Sequence, residues 1–226
     1  KMKKKILIAG GSHADIPIII AAKDLGYRVI TTGNNPNDMG HQFSDEYYLE
    51  DYSDPEKVLK LAKTLNIDAI CASSNDFSAI SCAYTAEKLG LPGHDNVKTS
   101  LTIHHKDKFR AFALENQILV PKAISLFKDD DRSLINSELS YPIIVKPVDL
   151  SGGKGITKVA SKRDLDKAIN NALKLSKHNK IVIEEFIEGS NHGYSTFIKE
   201  GKIVFAFMDD EHYFKNPYLV SGDRKS

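Results

Sequence analysis

The chain has 226 residues, 41% hydrophobic and 27% charged, a balance that supports a packed core and excludes a disordered or low-complexity chain. With 31 Lys+Arg against 30 Asp+Glu the formal net charge is +1, which argues against a protein built to grip nucleic acid. The two cysteines, Cys71 and Cys82, have neither disulfide-framework nor metal spacing, and the longest apolar run, Ile16–Ala22, falls short of the roughly 18 residues that span a bilayer.

A reducing, cytoplasmic setting with no membrane partner is therefore expected. The basic start, Lys1-Met2-Lys3-Lys4-Lys5, runs at once into Ile6–Ala9 and a glycine pair, which is not the pattern of a signal peptide.

Ile6–Ala9 is a short apolar run stopped by Gly10-Gly11 and predicts a buried strand feeding a turn. Pro17 fits the first turn of a helix running to Gly26, because a proline there gives up no hydrogen bond. Arg28–Thr32 reads as the next strand and Gly33–Ser44 as a long loop. Ser53-Asp54-Pro55-Glu56 predicts a capped helix start, with Glu three residues after Ser, and Val58, Leu61, Ala62 and Leu65 then repeat at helical spacing. Asp68–Ala72 predicts a strand, followed by Ser73–Asp76 and a helix ending near Gly90. Strand–helix alternation means parallel strands with crossover helices, so residues 1 to about 95 read as a small Rossmann-like α/β domain. Its first turn, Gly10-Gly11-Ser12-His13, lacks the third glycine of a dinucleotide fingerprint, and no acidic residue stands at the end of the second strand to hold a ribose.

After Pro92-Gly93 the rhythm changes. A helix is predicted over about Ile103–Asn116, with Phe109, Phe112 and Ala113 inward and Lys106 and Arg110 one turn apart on another face. Strands are predicted at Lys122–Leu126, Ile143–Pro147, Ile156–Val159 and Ile181–Glu185. Ser161–Asp164 is expected to cap a helix whose Leu165, Ala168, Ile169 and Ala172 form one stripe. Glu200-Gly201, between Tyr194–Lys199 and Lys202–Met208, reads as a hairpin turn. This second part, 96–226, is α+β with a largely antiparallel sheet, and contains a small subdomain at about 120–188.

Two strands carry charge where a buried strand should stay apolar. Lys146 ends Ile143-Ile144-Val145, and Glu184 and Glu185 follow Ile181-Val182-Ile183. A charge leaving water needs a partner, so either these residues pair with one another or they meet a ligand. Between them lies Ser151-Gly152-Gly153-Lys154-Gly155. Three glycines in four positions free the backbone to aim amides at one point, and Lys154 adds a cation, which together suit a polyphosphate. A flexible hairpin tip would read the same way. The loop is not a Walker A motif, since Lys154 is followed by Gly155 and the context is strand–loop–strand.

The order of these stretches resembles the nucleotide site of the ATP-grasp superfamily, the group that includes biotin carboxylase, carbamoyl-phosphate synthetase and D-alanine ligase. The matching stretches are His105–Arg110, Tyr141–Pro147, Ser151–Ile156 and Glu184–Gly189. The resemblance implies a pre-ATP-grasp domain followed by an ATP-grasp domain. It implies that Lys106 and Lys146 contact phosphates, and that Ser151, Gly152, Gly153, Lys154 and Gly155 form a lid over them. Glu184 would accept from the adenine amino group beside Glu185, and the backbone of Phe186 and Ile187 would read the ring edge. His192 stands near the position of the family's ribose-binding glutamate and departs from that pattern.

The implied chemistry is phosphoryl transfer from ATP to a carboxylate, giving an acyl phosphate that an amine or related nucleophile attacks, with Mg2+ offsetting charge. The family's metal carboxylates lie on strands later than the adenine strand. The expectation is therefore an incomplete grasp domain whose catalytic and metal residues lie beyond Ser226, inactive alone. Asp209-Asp210-Glu211 is expected to mark a polar turn. The ending Asp210–Gly222 looks like the corresponding region of carbamoyl-phosphate-synthetase-like ligases. Partners on this reading are small carboxylates and amines, with a homodimer or a second, completing subunit left open. The acceptor would use the Gly10–His13 and Ser73–Asp76 loops, which on the simpler reading only cap helices. Two other readings stand beside the ligase: a non-catalytic or split nucleotide-binding subunit, and a Rossmann-type oxidoreductase with an appended domain.

Overall fold

The computed structural model describes residues 3–213, 218 and 220–225. The chain divides into two compact units between His104 and His105.

In the first unit β1 (Lys5–Ala9), β2 (Arg28–Gly33), β3 (Glu46–Leu49) and β4 (Ala69–Ala72) form a sheet in the order β3-β2-β1-β4, with every pair parallel. Residues alternate across β1, so Leu7 and Ala9 meet one core and Ile8 the other. The first core is closed by α2 (Pro55–Leu65) and α3 (Asp76–Leu89) through Val58, Ala62, Cys82 and Ala86. The second is closed by α1 (Ile16–Asp24) through Ile19 and Ala22. Helices on both faces of a parallel sheet make this unit the α/β fold its alternation implied. The cap of α2 is Asp54 and not Ser53: its Oδ1 accepts from the backbone N–H of Glu56 at 3.1 Å and of Lys57 at 3.3 Å. A 3-10 turn at Met39–Phe43 interrupts the expected loop, and β3 is an element the sequence pattern did not announce. α4 (Val97–His104) packs beside α3 and completes the unit.

The expected helix over 103–116 is instead two. His105 is extended (φ −105°, ψ 118°), so α4 stops at His104 and α5 (Lys106–Glu115) starts afresh. Of its predicted inward residues only Ala113 is buried; Phe112 is exposed and Phe109 half-buried.

The second unit has two antiparallel sheets. One, in the order β5-β8-β6-β7, contains β5 (Ala123–Phe127), β6 (Ile143–Pro147), β7 (Thr157–Val159) and β8 (Lys180–Glu185). Its core face meets α6 (Ser133–Glu138) and α7 (Leu165–Leu175), burying Ile135, Ile143, Val145, Ile169, Ala172, Ile181 and Ile183. The stripe predicted on α7 is buried, but Ser161 makes no side-chain cap, since a 3-10 turn at Lys162–Asp164 comes first. α6 is short and too weakly patterned to announce itself.

The other sheet joins β9 (His192–Lys199), β10 (Lys202–Tyr213) and β11 (Val220–Lys225). Glu200 (φ 52°) and Gly201 (φ 73°) form the tight turn between β9 and β10. Asp209, Asp210 and Glu211 lie inside β10, so the polar turn expected there is a strand. Residues 214–217 and 219 of the C-terminal stretch, and Lys1 and Met2 of the basic start, lie outside the described residues. No helix among the described residues is long and apolar enough to cross a membrane.

Candidate functional site

The site begins with strand periodicity. On β6, Ile143 and Val145 point into the core, which sends Ile144 and Lys146 to the opposite face. On β8, Ile181 and Ile183 do the same and send Glu184 outward from that core. Ile144 stands opposite Glu184 in the antiparallel register, so Lys146 is its diagonal neighbour. The Lys146 Nζ donates to Glu184 Oε2 at 2.6 Å. α5 crosses the same face, and Arg110 Nε donates to Glu184 Oε1 at 2.8 Å. Both carboxylate oxygens are thus held by cations from separate elements, with the Glu184 side chain only 1% exposed.

Burial alone pushes the Glu184 carboxyl up. The Lys146 and Arg110 cations outweigh that and hold it below the usual carboxylate range. Taken alone, this triad is the mutual pairing that the simpler sequence reading allowed. Its surroundings add more. A cavity of about 450 Å³ opens beside the triad, lined also by Ile144, Ile156, Phe186 and Ile187. Lys158 lies over the Phe186 ring, 3.7 Å from its centroid, and reaches Glu188 Oε1 at 3.5 Å. Burial, then the neighbouring Glu211, pushes the Tyr213 phenol in the cavity wall up to about 12.

The other expected residues are placed as follows. Lys106 Nζ donates to the carbonyl of Leu150, and its backbone N–H to Val148 O at 3.2 Å, so Lys106 straps the chain entering the glycine loop. Gly152, Gly153 and Gly155 have φ of 65°, 70° and 72°, in the left-handed region that favours glycine. Ser151, Gly152 and Lys154 are exposed at the loop tip. A Cβ on Gly155 would come within 2.8 Å of Pro147 Cγ, so the loop's last glycine is also demanded by packing. Glu185 lines the cavity and accepts from the Ser140 N–H at 3.2 Å, while the Phe186 N–H donates to Pro142 O at 3.0 Å. His192 lies on β9, with Nδ1 2.6 Å from Asp210 Oδ1 and Nε2 2.7 Å from Ser190 Oγ. Lys146, Glu184, Glu185, Phe186 and Ile187 therefore share one cavity, and Lys106 and His192 are engaged elsewhere.

Sequence reasoning missed Arg110, Lys158 and Tyr213 as site residues. For Arg110 a signal existed, since it stands one helical turn from Lys106, but nothing local showed which face met the sheet.

In the first unit Asp15 is buried and ties two loops together. Its Oδ2 accepts from Ser12 N–H at 2.8 Å and Ser12 Oγ at 2.9 Å, and its Oδ1 from Ser74 N–H at 3.1 Å. Asn75 caps α3 by accepting from the Phe77 N–H at 2.9 Å. The described residues contain no group of three or more His, Cys, Asp or Glu side chains able to hold a metal ion.

Residues 112–208 match the family model of the D-ala D-ala ligase C-terminus. The chain is 32% identical over 223 residues to a formate-dependent phosphoribosylglycinamide formyltransferase of Prochlorococcus marinus, covering 96% of this chain and 57% of that protein. It is 26% identical to the carbamoyl phosphate synthase large chain of Pseudothermotoga lettingae, covering 90% of this chain and 20% of that one. Among solved structures, N5-carboxyaminoimidazole synthetase from Staphylococcus aureus, complexed with ADP, superposes with a TM-score of 0.77 at 19% identity, over 97% of this chain and 58% of that one. The phosphoribosylglycinamide synthetase from Anaerococcus prevotii gives 0.70 at 24%, over 97% and 55%. The chain thus spans little more than half of the formyltransferase and of both solved structures. Four motifs in order, a parallel-sheet unit followed by antiparallel sheets, and these likenesses point the same way: the chain is similar over nearly its whole length to proteins of the ATP-grasp superfamily.

Proposed function

We propose that this chain binds ATP in the cavity beside Glu184 and forms the nucleotide-binding part of a ligase that activates a small carboxylate. The observation that carries the reading is the buried Glu184 carboxylate, held by Lys146 and Arg110 at the wall of a cavity of about 450 Å³. A purine of ATP presents an amino donor that a fixed carboxylate accepts, and Ile144, Ile156 and Phe186 offer the apolar surface a flat base needs. Lys146, at the strand end before the glycine loop, is the cation that exchanges Glu184 for phosphate oxygens. The loop from Ser151 to Gly155, with Lys154 at its tip, closes over the phosphates, and Lys106 fixes the loop's entry by holding Leu150.

In the reaction the γ-phosphoryl group passes from ATP to a carboxylate oxygen, leaving ADP and an acyl phosphate. An amine nitrogen then bonds to the acyl carbon and phosphate leaves. Magnesium offsets phosphate charge in such chemistry. The greater identity to the formyltransferase, 32% against 26%, favours a formate-type carboxylate over the carbamoyl-phosphate branch.

Equilibrium binding is the direct test. ATP at 100 times its dissociation constant should stabilise the chain by about 2.7 kcal/mol. Lys146→Ala should remove most of that shift; an ATP shift that survives the substitution intact counts against the site. Formate, bicarbonate and amino acids, each with ATP and an amine panel, then identify the carboxylate through ADP release by the complete ligase of which this chain is a part.

A further inference from the structure

The two cations on Glu184 are not equivalent. Lys146 carries a compact ammonium on a flexible stem and redirects easily among acceptors, whereas Arg110 carries a planar, permanently charged guanidinium of fixed direction. Lys146 stands at the strand end leading to the glycine loop, and Arg110 comes from the middle of α5. They take different oxygens of the same carboxylate, Oε2 and Oε1.

We propose that Arg110 is a positioning residue for base selection, holding Glu184 as a hydrogen-bond acceptor after Lys146 turns to phosphate, so that the cavity takes a 6-aminopurine nucleotide and rejects a 6-oxopurine one. The inference rests on the nucleotide reading given above and extends it to Arg110, which ends the His105–Arg110 stretch and to which the resemblance assigns no role.

The chemistry follows from what each base presents at the same place. A 6-amino group donates to a carboxylate. A 6-oxo group sets an acceptor against an acceptor, and with Glu184 1% exposed little water can intervene. The rejection holds only while Glu184 carries no proton, because a carboxyl O–H would donate to the 6-oxo oxygen. Burial drives Glu184 toward that protonated form, and the two cations resist it. Other ionisable groups line the cavity from β7, β10, the end of β8 and the stretch after β10: Lys158, Tyr213, Glu185 and Tyr218, whose hydroxyl accepts from the Lys158 N–H at 3.2 Å. Lys158 sits over the Phe186 ring and reaches Glu188, Glu185 takes the Ser140 N–H, and Tyr213 donates to Glu211. Once Lys146 has turned away, Arg110 is the cation that remains on Glu184.

The test compares ATP with inosine triphosphate, which differs in bearing a 6-oxo group, by equilibrium binding to the 226-residue chain at pH 6 and pH 8. The wild type is expected to prefer ATP by about tenfold or more, equally at both pH values. Arg110→Met, which keeps the aliphatic stem, should lose most of that preference, and lose more of it at pH 6. Arg110→Lys, which keeps the charge but not the fixed direction, should restore only part of it. Arg110→Met weakening both nucleotides by the same factor would overturn the inference, since a merely structural residue does that. A wild-type preference that collapses between pH 8 and pH 6 would overturn it without any variant. Failure of the wild type to bind ATP at all is a separate outcome and removes the nucleotide reading beneath it.

Discussion

Lys146 and Glu184 stand on adjacent antiparallel strands, diagonal in register, and their charged atoms meet at 2.6 Å on the face turned away from the core. Neither strand would tolerate its charge alone, and together with Arg110 they make a buried ionic group that also lines a cavity.

Removing the anion from this group should be costly. Glu184→Ala leaves Lys146 and Arg110 facing each other with no compensating charge, and is expected to destabilise the chain by about 3–5 kcal/mol in urea unfolding. Lys146→Ala should cost less, because Arg110 still neutralises Glu184 and the lysine is partly solvated.

Stability should fall in acid in two stages. Burial, above all, lowers the pKa of His41 and of His105, so the unfolded chain binds protons that the folded one resists as pH drops below about 6.5. Glu184 and Asp107 follow. Burial raises each, but Lys146 and Arg110 in the first case and Lys180 in the second bring the net shift below the usual range. Their contribution is complete above the unfolded carboxylate value, about 4, and is lost as pH falls through the lower folded value. Urea midpoints from pH 8 to pH 3 check this, and His105→Asn should shrink the first stage to the share that His41 contributes.

Two of the left-handed glycines, Gly155 and Gly201, should respond differently to alanine. At Gly201 a Cβ meets nothing within 4 Å, so the expected cost is only the backbone term, about 1 kcal/mol. At Gly155 the same term is joined by overlap with Pro147, and about 2–3 kcal/mol is expected. Thermal melts of the two variants give the comparison; equal losses would show that Pro147 yields freely.

Cys82 should be inert while the chain is folded. Burial pushes its thiol up to about 12, and the residue has no exposed surface. Mass spectrometry after iodoacetamide at pH 8 should show Cys82 unmodified in the native protein and alkylated in urea. Burial raises Cys71 too, but that residue is only partly covered, so it should react first.

Much of this organisation was legible because its causes are local. The stripes on α2 and α7, the alternation of strand and helix through β4, and the Glu200-Gly201 turn each follow from the spacing of a few neighbouring residues. The charged ends of β6 and β8 stood out for the same reason, since a charge in an apolar run is visible without knowing its partner. The sequence misled where two local signals competed. Ser53 and Asp54 are both good caps, and only the backbone path selects Asp54. His105 carries no breaking residue type, yet it separates α4 from α5.

By itself, then, the chain's order of residues determined the type of most elements and the set of chemically unusual positions. The tertiary structure alone decided which of those positions meet. Arg110 and Glu184 are 74 residues apart, and their contact depends on how α5 lies across the sheet. That placement is set by packing among elements distant in sequence, and no local periodicity encodes it. Lys106 and His192 each sit in or near a motif read from the sequence, and only the fold shows Lys106 Nζ on the Leu150 carbonyl and His192 Nδ1 beside Asp210.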